Sequence, residues 1–152
     1  MIFYKIYTST PTSKPTPEII NQITEESIKW NSMHGITGML LCLEDRYFQF
    51  LEGKEEEVDS IFNKIKMDSR HTEVYVRIKG FENDRIFSEW SMGSWTLKNE
   101  ELKNLTALDD LRSYMEDPSN KALSPKKFVS MMQNILDTWI AHEPERSKRL
   151  KG

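Results

Sequence analysis

The sequence predicts an α+β fold: a mixed sheet with two helices on one face, in the ferredoxin-like order β-α-β-β-α-β-β, plus C-terminal helices. Three observations carry this. Short runs of β-branched and aromatic residues alternate with segments of helical period. Two of those runs are separated by only Glu44 and Asp45, which makes them a hairpin. The first helical segment is bounded by a capping threonine with a following proline and, at its end, by a glycine.

The first strand spans residues 2–8, dense in aromatic and β-branched side chains. Pro11, Pro15 and Pro17, set among threonines and a serine, make a loop of the next segment. Helix one starts near Thr16, with Pro17 at its first position and Glu18 in its first turn. Ile19, Ile20 and Ile23 give it an apolar stripe, and it stops before Gly35. Strands 37–43 and 46–53 form the hairpin. Helix two comes after Gly53, with Val58, Ile61, Phe62 and Ile65 at helical spacing. Strands near 73–81 and 90–97 complete the sheet. Residues 99–115 read as a helix stopped by Asp117 and Pro118. A last helix opens at Ser124 and Pro125 and carries Phe128, Met132, Ile135, Leu136 and Trp139 on one stripe. Two units are therefore expected, 1–97 and a helical extension, 98–152.

A chain of 152 residues, 38% hydrophobic, can bury a real core. Its net charge of −3 gives no electrostatic reason to expect nucleic acid or an anionic membrane. The N-terminus lacks a signal-peptide pattern and no apolar run is long enough to span a bilayer, so a cytoplasmic protein is expected. The lone Cys42 excludes an internal disulfide framework and a cysteine zinc cage. His34, His71 and His142 are not spaced as metal ligands, and no metal is expected. There is no P-loop, GxSxG or GxGxxG. Glu55, Glu56 and Glu57 open a helix, where its dipole favours them.

Five segments, joined by Tyr7-Thr8-Ser9 at the end of strand one, carry a more specific signal. They are Asn31; Gly35-Ile36-Thr37-Gly38-Met39-Leu40; Tyr47-Phe48-Gln49-Phe50-Leu51-Glu52-Gly53; Asp68-Ser69-Arg70-His71; and Trp90-Ser91-Met92. In order and spacing they resemble the BLUF family of flavin-binding blue-light sensors, over roughly residues 1–97. Singly, each has a plainer explanation. Tyr7 would be a core tyrosine, Gln49 an edge-strand amide, Asn31 a helix C-cap, and Trp90 and Met92 packing.

The resemblance implies a flavin held between the two helices. FAD is the form it implies, with FMN or riboflavin as alternatives. Tyr7 resembles the photoactive tyrosine that gives an electron and a proton. Gln49 resembles the switching glutamine between that tyrosine and the flavin. Asn31 resembles the asparagine that bonds the ring's carbonyl edge. Trp90 and Met92 resemble the last-strand pair that responds to the switch. Arg70 and His71 match cofactor-side residues, as does Lys64, near a position where some relatives carry arginine. Light would then drive a reversible rearrangement rather than enzymatic turnover. The signal would leave through the last strand and C-terminal helices to an unidentified downstream protein, or through self-association of those helices. The chemistry suits these roles: tyrosine is readily oxidised and then loses its proton, and an amide carries donor and acceptor on one group.

Two departures stand out. Trp30 precedes Asn31, as a pocket lid or a second electron donor. Lys5 shares the Tyr7 face of a regular strand, unless its ammonium snorkels away or a bulge turns it. Two rival readings use the same topology. An acylphosphatase-like enzyme needs an arginine-bearing phosphate loop after strand one, and that loop has Lys14 but no arginine or glycine. A flavin-free interaction module would use the aromatic sheet to pack a partner.

Overall fold

A computed structural model describes residues 1–43, 45–88 and 93–96, the last as backbone only, together with Ser113, Lys126, Lys127, Ser130, Met131 and Asn134. The chain divides into a unit built on Met1–Leu97 and a second unit, Lys98–Arg149. The elements are β1 (Ile2–Pro11), α1 (Pro17–His34), β2 (Thr37–Cys42), β3 (Tyr47–Gly53), α2 (Glu55–Lys66), β4 (His71–Glu82) and β5 (Gly93–Thr96). The sheet order is β4-β1-β3-β2-β5. Every pairing is antiparallel except β2 with β5, which makes the sheet mixed. This is the α+β architecture that the sequence predicts.

Local chemistry sets the element ends. Thr16 caps α1, its Oγ1 accepting from the Ile19 N–H at 3.2 Å. Gly35 closes α1 in the left-handed region (φ 65°), its N–H donating to the Asn31 carbonyl. Leu43 N–H donates to Arg46 O at 2.8 Å and closes the hairpin. A Cβ on Gly38 would lie 2.1 Å from the Phe50 carbonyl oxygen, so only glycine lets β2 sit this close to β3. β1 runs past residue 8 because Thr10 pairs with Thr72 and Pro11 with His71. Pro11 is its last residue, where a missing N–H costs the ladder little.

Both helices pack on one sheet face. Ile20 of α1 and Val58, Ile61 and Phe62 of α2 form one core with Phe3, Tyr7, Leu40, Tyr47 and Leu51. Tyr4, Ile6, Met39, Leu41, Phe48 and Phe50, on the alternate positions, are buried too. Burial on both faces explains why the central strands read as nearly continuous apolar runs.

Two further features shape the surroundings of the core. Relative to β1, β4 shifts register twice, between Ile6 and Tyr7 and between Thr8 and Thr10. Glu73, inside the second shift, has φ 52°. At the far end of β3, the buried Glu52 carboxylate accepts from the Thr37 hydroxyl at 2.9 Å and from the Ile86 and Phe87 N–H groups at 2.8 and 2.7 Å. Arg85 fastens the same corner by donating to the Gly35 carbonyl at 2.6 Å.

Trp90, Met92 and Glu44 lie outside the described residues, as do the expected helices 99–115 and 124–143 except at isolated positions. Ser113, Lys126, Lys127, Ser130, Met131 and Asn134 are helical. Among the described residues, no helix is long and apolar enough to cross a membrane.

Candidate functional site

A cavity of about 230 Å³ opens between α1, α2 and the sheet. Leu40, Tyr47, Gln49 and Ser9 line its sheet side, Ile23, Ser27 and Trp30 its α1 wall, and Ile61, Lys64 and Ile65 its α2 wall. Glu26, Asp68, Arg70 and His71 complete the lining. Apolar helix walls over a floor bearing an amide and hydroxyls suit a planar ring system with donors and acceptors along one edge. A flavin ring is such a group, so the residues present fit it.

Strand geometry places the central pair. Tyr7 and Gln49 are cross-strand partners in the β1–β3 register and project from the same face. The Tyr7 hydroxyl donates to Gln49 Oε1. Tyr7 is 1% exposed and does not line the cavity; Gln49 lies between it and the cavity. Burial pushes the Tyr7 phenol well above its ordinary pKa, so it stays a proton donor. With the amide oxygen bonded to Tyr7, the other end of the Gln49 amide is an NH₂ donor.

Lys64, another of the expected residues, lines the cavity, and its ammonium stands 3.1 Å above the Trp30 ring. Trp30 lines the cavity too, with His34 stacked on it at 4.2 Å. His34 Nδ1 lies 2.8 Å from Glu57 Oε2 of α2, so this stack spans both helices. Arg70 lines the cavity while its guanidinium holds Asp68, Nε to Oδ1 at 2.9 Å and Nη2 to Oδ2 at 2.5 Å, and Glu26 Oε2 at 2.8 Å. The Arg70 hydrogen bonds hold Asp68 below the usual carboxylate range, and the Asp68 hydrogen bond raises Arg70 above its own. His71 has both ring nitrogens engaged. Nε2 donates to the Ile65 carbonyl, so in the neutral ring Nδ1 accepts from the Ser9 hydroxyl at 3.1 Å. Asn31 is 1% exposed in the last turn of α1 and is not on the cavity lining.

The sequence pattern assigns no role to Ser9, Glu26, Ser27, Tyr47 or Asp68, all of which line the cavity. Asp68 had a usable signal, since it stands two residues before Arg70 and closes a local turn by accepting from the Arg70 N–H at 2.9 Å. Burial, with smaller electrostatic contributions, pushes the Tyr47 phenol up to about 12.

Comparison with known proteins bears on the family and the fold. The family described as "BLUF: Sensors of blue-light using FAD" matches residues 2–93. The photoactivated adenylate cyclase subunit alpha-like protein FB of Euglena gracilis is 31% identical over 98 residues, 64% of this chain. The match spans only 9% of that relative's length. The dark-state structure of BlrB, a BLUF protein, superposes with a TM-score of 0.66 at 27% identity, covering 90% of this chain and 96% of that one. A bacterial light-regulated adenylyl cyclase superposes with a TM-score of 0.62 at 30% identity, covering 95% of this chain and 36% of that one.

Proposed function

The chain belongs to the BLUF family of blue-light sensors, and from that premise we propose that Tyr7 and Gln49 are its photoactive pair, acting on an FAD bound between α1 and α2. The observation that carries this is the hydrogen bond from the buried Tyr7 phenol to Gln49 Oε1, with Gln49 on the cavity wall. When bound, the flavin supplies light absorption and, once excited, an acceptor for one electron.

Everything else is done by the chain. Tyr7 is neutral and oxidisable. Once it has lost an electron its phenol becomes strongly acidic, and the Gln49 oxygen is in place to take the proton. The amide can then turn or tautomerise, so that it offers the cavity an acceptor where it offered a donor. Electron and proton return to Tyr7, and no atom is gained or lost. The changed amide polarity is the signal. Lys64 and Arg70 line the cavity and act as cofactor-side groups in this reading, Asn31 joins them by turning toward the cavity from its buried place in α1, and His71 fixes Ser9 at the cavity edge. Trp90 and Met92 receive the change in the last strand.

The chain acts as a light-sensing module without turnover of its own, and its target is a separate effector protein or a second copy. The relatives with cyclase names support an effector as the destination. A single, buried cysteine suits a reducing, cytoplasmic setting.

An absorption spectrum of the purified, flavin-loaded protein before and after blue light is the test. The expected result is a small reversible red shift. Tyr7→Phe should retain flavin and lose the shift, and Gln49→Leu should do the same. A photocycle like the wild type in either variant would remove that residue from the pair.

A further inference from the structure

Lys5 is a buried lysine on the face that carries Tyr7, and the tyrosine–glutamine chemistry does not use it. The β1–β3 register runs unbroken through Lys5↔Leu51 and Tyr7↔Gln49, so both side chains leave the same face. Lys5 is 8% exposed. Its Nζ donates to Asp59 Oδ1 of α2 at 2.7 Å and stands 4.2 Å from the Phe62 ring centroid. Phe62 in turn packs edge-on against Tyr7, with centroids 5.0 Å apart. The ammonium is therefore no farther from the Tyr7 ring than these two contacts laid end to end. Two more cations lie close by. Lys79 is the β4 partner of Lys5, and Lys66 Nζ lies 5.8 Å from the Phe62 centroid. Asp59 is the carboxylate that pairs with Lys5.

We propose that the Lys5–Asp59 pair tunes Tyr7 as an electron donor, Asp59 cancelling a buried positive charge that would otherwise oppose oxidation of the phenol. This rests on the photochemical roles proposed for Tyr7 and Gln49. In that step one electron passes from the Tyr7 ring to the photoexcited flavin, and the phenolic proton passes to Gln49. Positive charge develops on the ring until the proton leaves. A lone ammonium behind Phe62 raises the energy of that state, and a paired one does so far less. For the Asp59 charge, no more than about 12 Å from the Tyr7 ring through the same contacts, in an effective dielectric of about 20 and with half the effect felt in the barrier, the rate changes roughly threefold.

The test is the fluorescence lifetime of flavin bound to the full chain, which reads electron transfer directly, with the red-shift yield measured alongside. Asp59→Asn should lengthen the lifetime roughly threefold and lower the yield. Asp59→Glu, which keeps the charge, should restore both, as should the double variant Lys5→Met, Asp59→Asn. Lys5→Met alone should leave the lifetime equal or shorter, and it decides the matter if the unpaired ammonium keeps Asp59→Asn from folding. An unchanged lifetime in Asp59→Asn, or a longer one in Lys5→Met, overturns the proposal while the family photocycle stands. A wild type that binds flavin without any red shift overturns the photoactive-pair reading and this proposal together.

Discussion

At the scale of single residues, the site depends on phenols that burial keeps protonated. Tyr47 is the measurable case, its pKa raised to about 12 chiefly by burial. A folded-state pKa above the unfolded value of about 10 means that the unfolded chain releases its proton first as pH rises. The stabilisation is complete below pH 10 and is lost between about 10 and 12. Tyr47→Phe should therefore flatten the fall in thermal stability across that window, read by melting curves at fixed ionic strength. Asp68 works in the opposite direction, since its depressed pKa gives stability above the usual carboxylate range that disappears on acidification. The Tyr7–Gln49 pair was legible through the family resemblance of the motifs that carry it; strand alternation alone puts Gln49 on one face with Tyr47 and Leu51 and leaves the register with Tyr7 open. The partners of Lys5, Arg70 and His71 were not legible. Asp59, Glu26 and Ser9 stand 54, 44 and 62 positions away from them, and no local pattern reports such contacts.

At the scale of elements, α1 was legible at both ends because its signals are local: a threonine cap, a first-turn proline and a left-handed glycine. The bulges of β4 were not, because a bulge is a mismatch between two strands and neither strand shows it alone. Nor was the role of Glu52, which looks like an ordinary hairpin acid in the sequence. It is 1% exposed, and its carboxylate ties the end of β3 to the segment leading out of β4. Its three donors leave no room for an amide nitrogen. In Glu52→Gln the NH₂ would confront the Thr37 hydroxyl or a backbone N–H, leaving a buried donor unpaired. A loss of about 1–3 kcal/mol in urea unfolding is expected. Stability equal to the wild type would mean that the corner repacks freely.

At the scale of the whole molecule, the described residues that line the cavity run from Ser9 to His71, inside the first unit. Light sensing should therefore survive loss of the C-terminal residues. Deleting residues 125–152 is expected to leave the red shift nearly intact while lowering solubility and abolishing any light-dependent change in size. Hydrogen exchange in the full chain gives the complementary measurement. Altered protection within 99–142 on illumination is expected if the signal leaves through the C-terminal segment, and unchanged protection throughout would point to another exit.

The doubly bulged β4 bears on how this protein avoids unwanted company. At 12 residues, β4 is a long strand at the edge of the described sheet, with Tyr75, Val76 and Phe81 all exposed. A straight edge of that length is a template on which a neighbouring chain can add a strand and start an aggregate. Two register breaks and a left-handed Glu73 interrupt the even row of N–H and C=O groups that such a strand would need. The irregularity beside Tyr7 thus also keeps the sheet from being extended by other molecules.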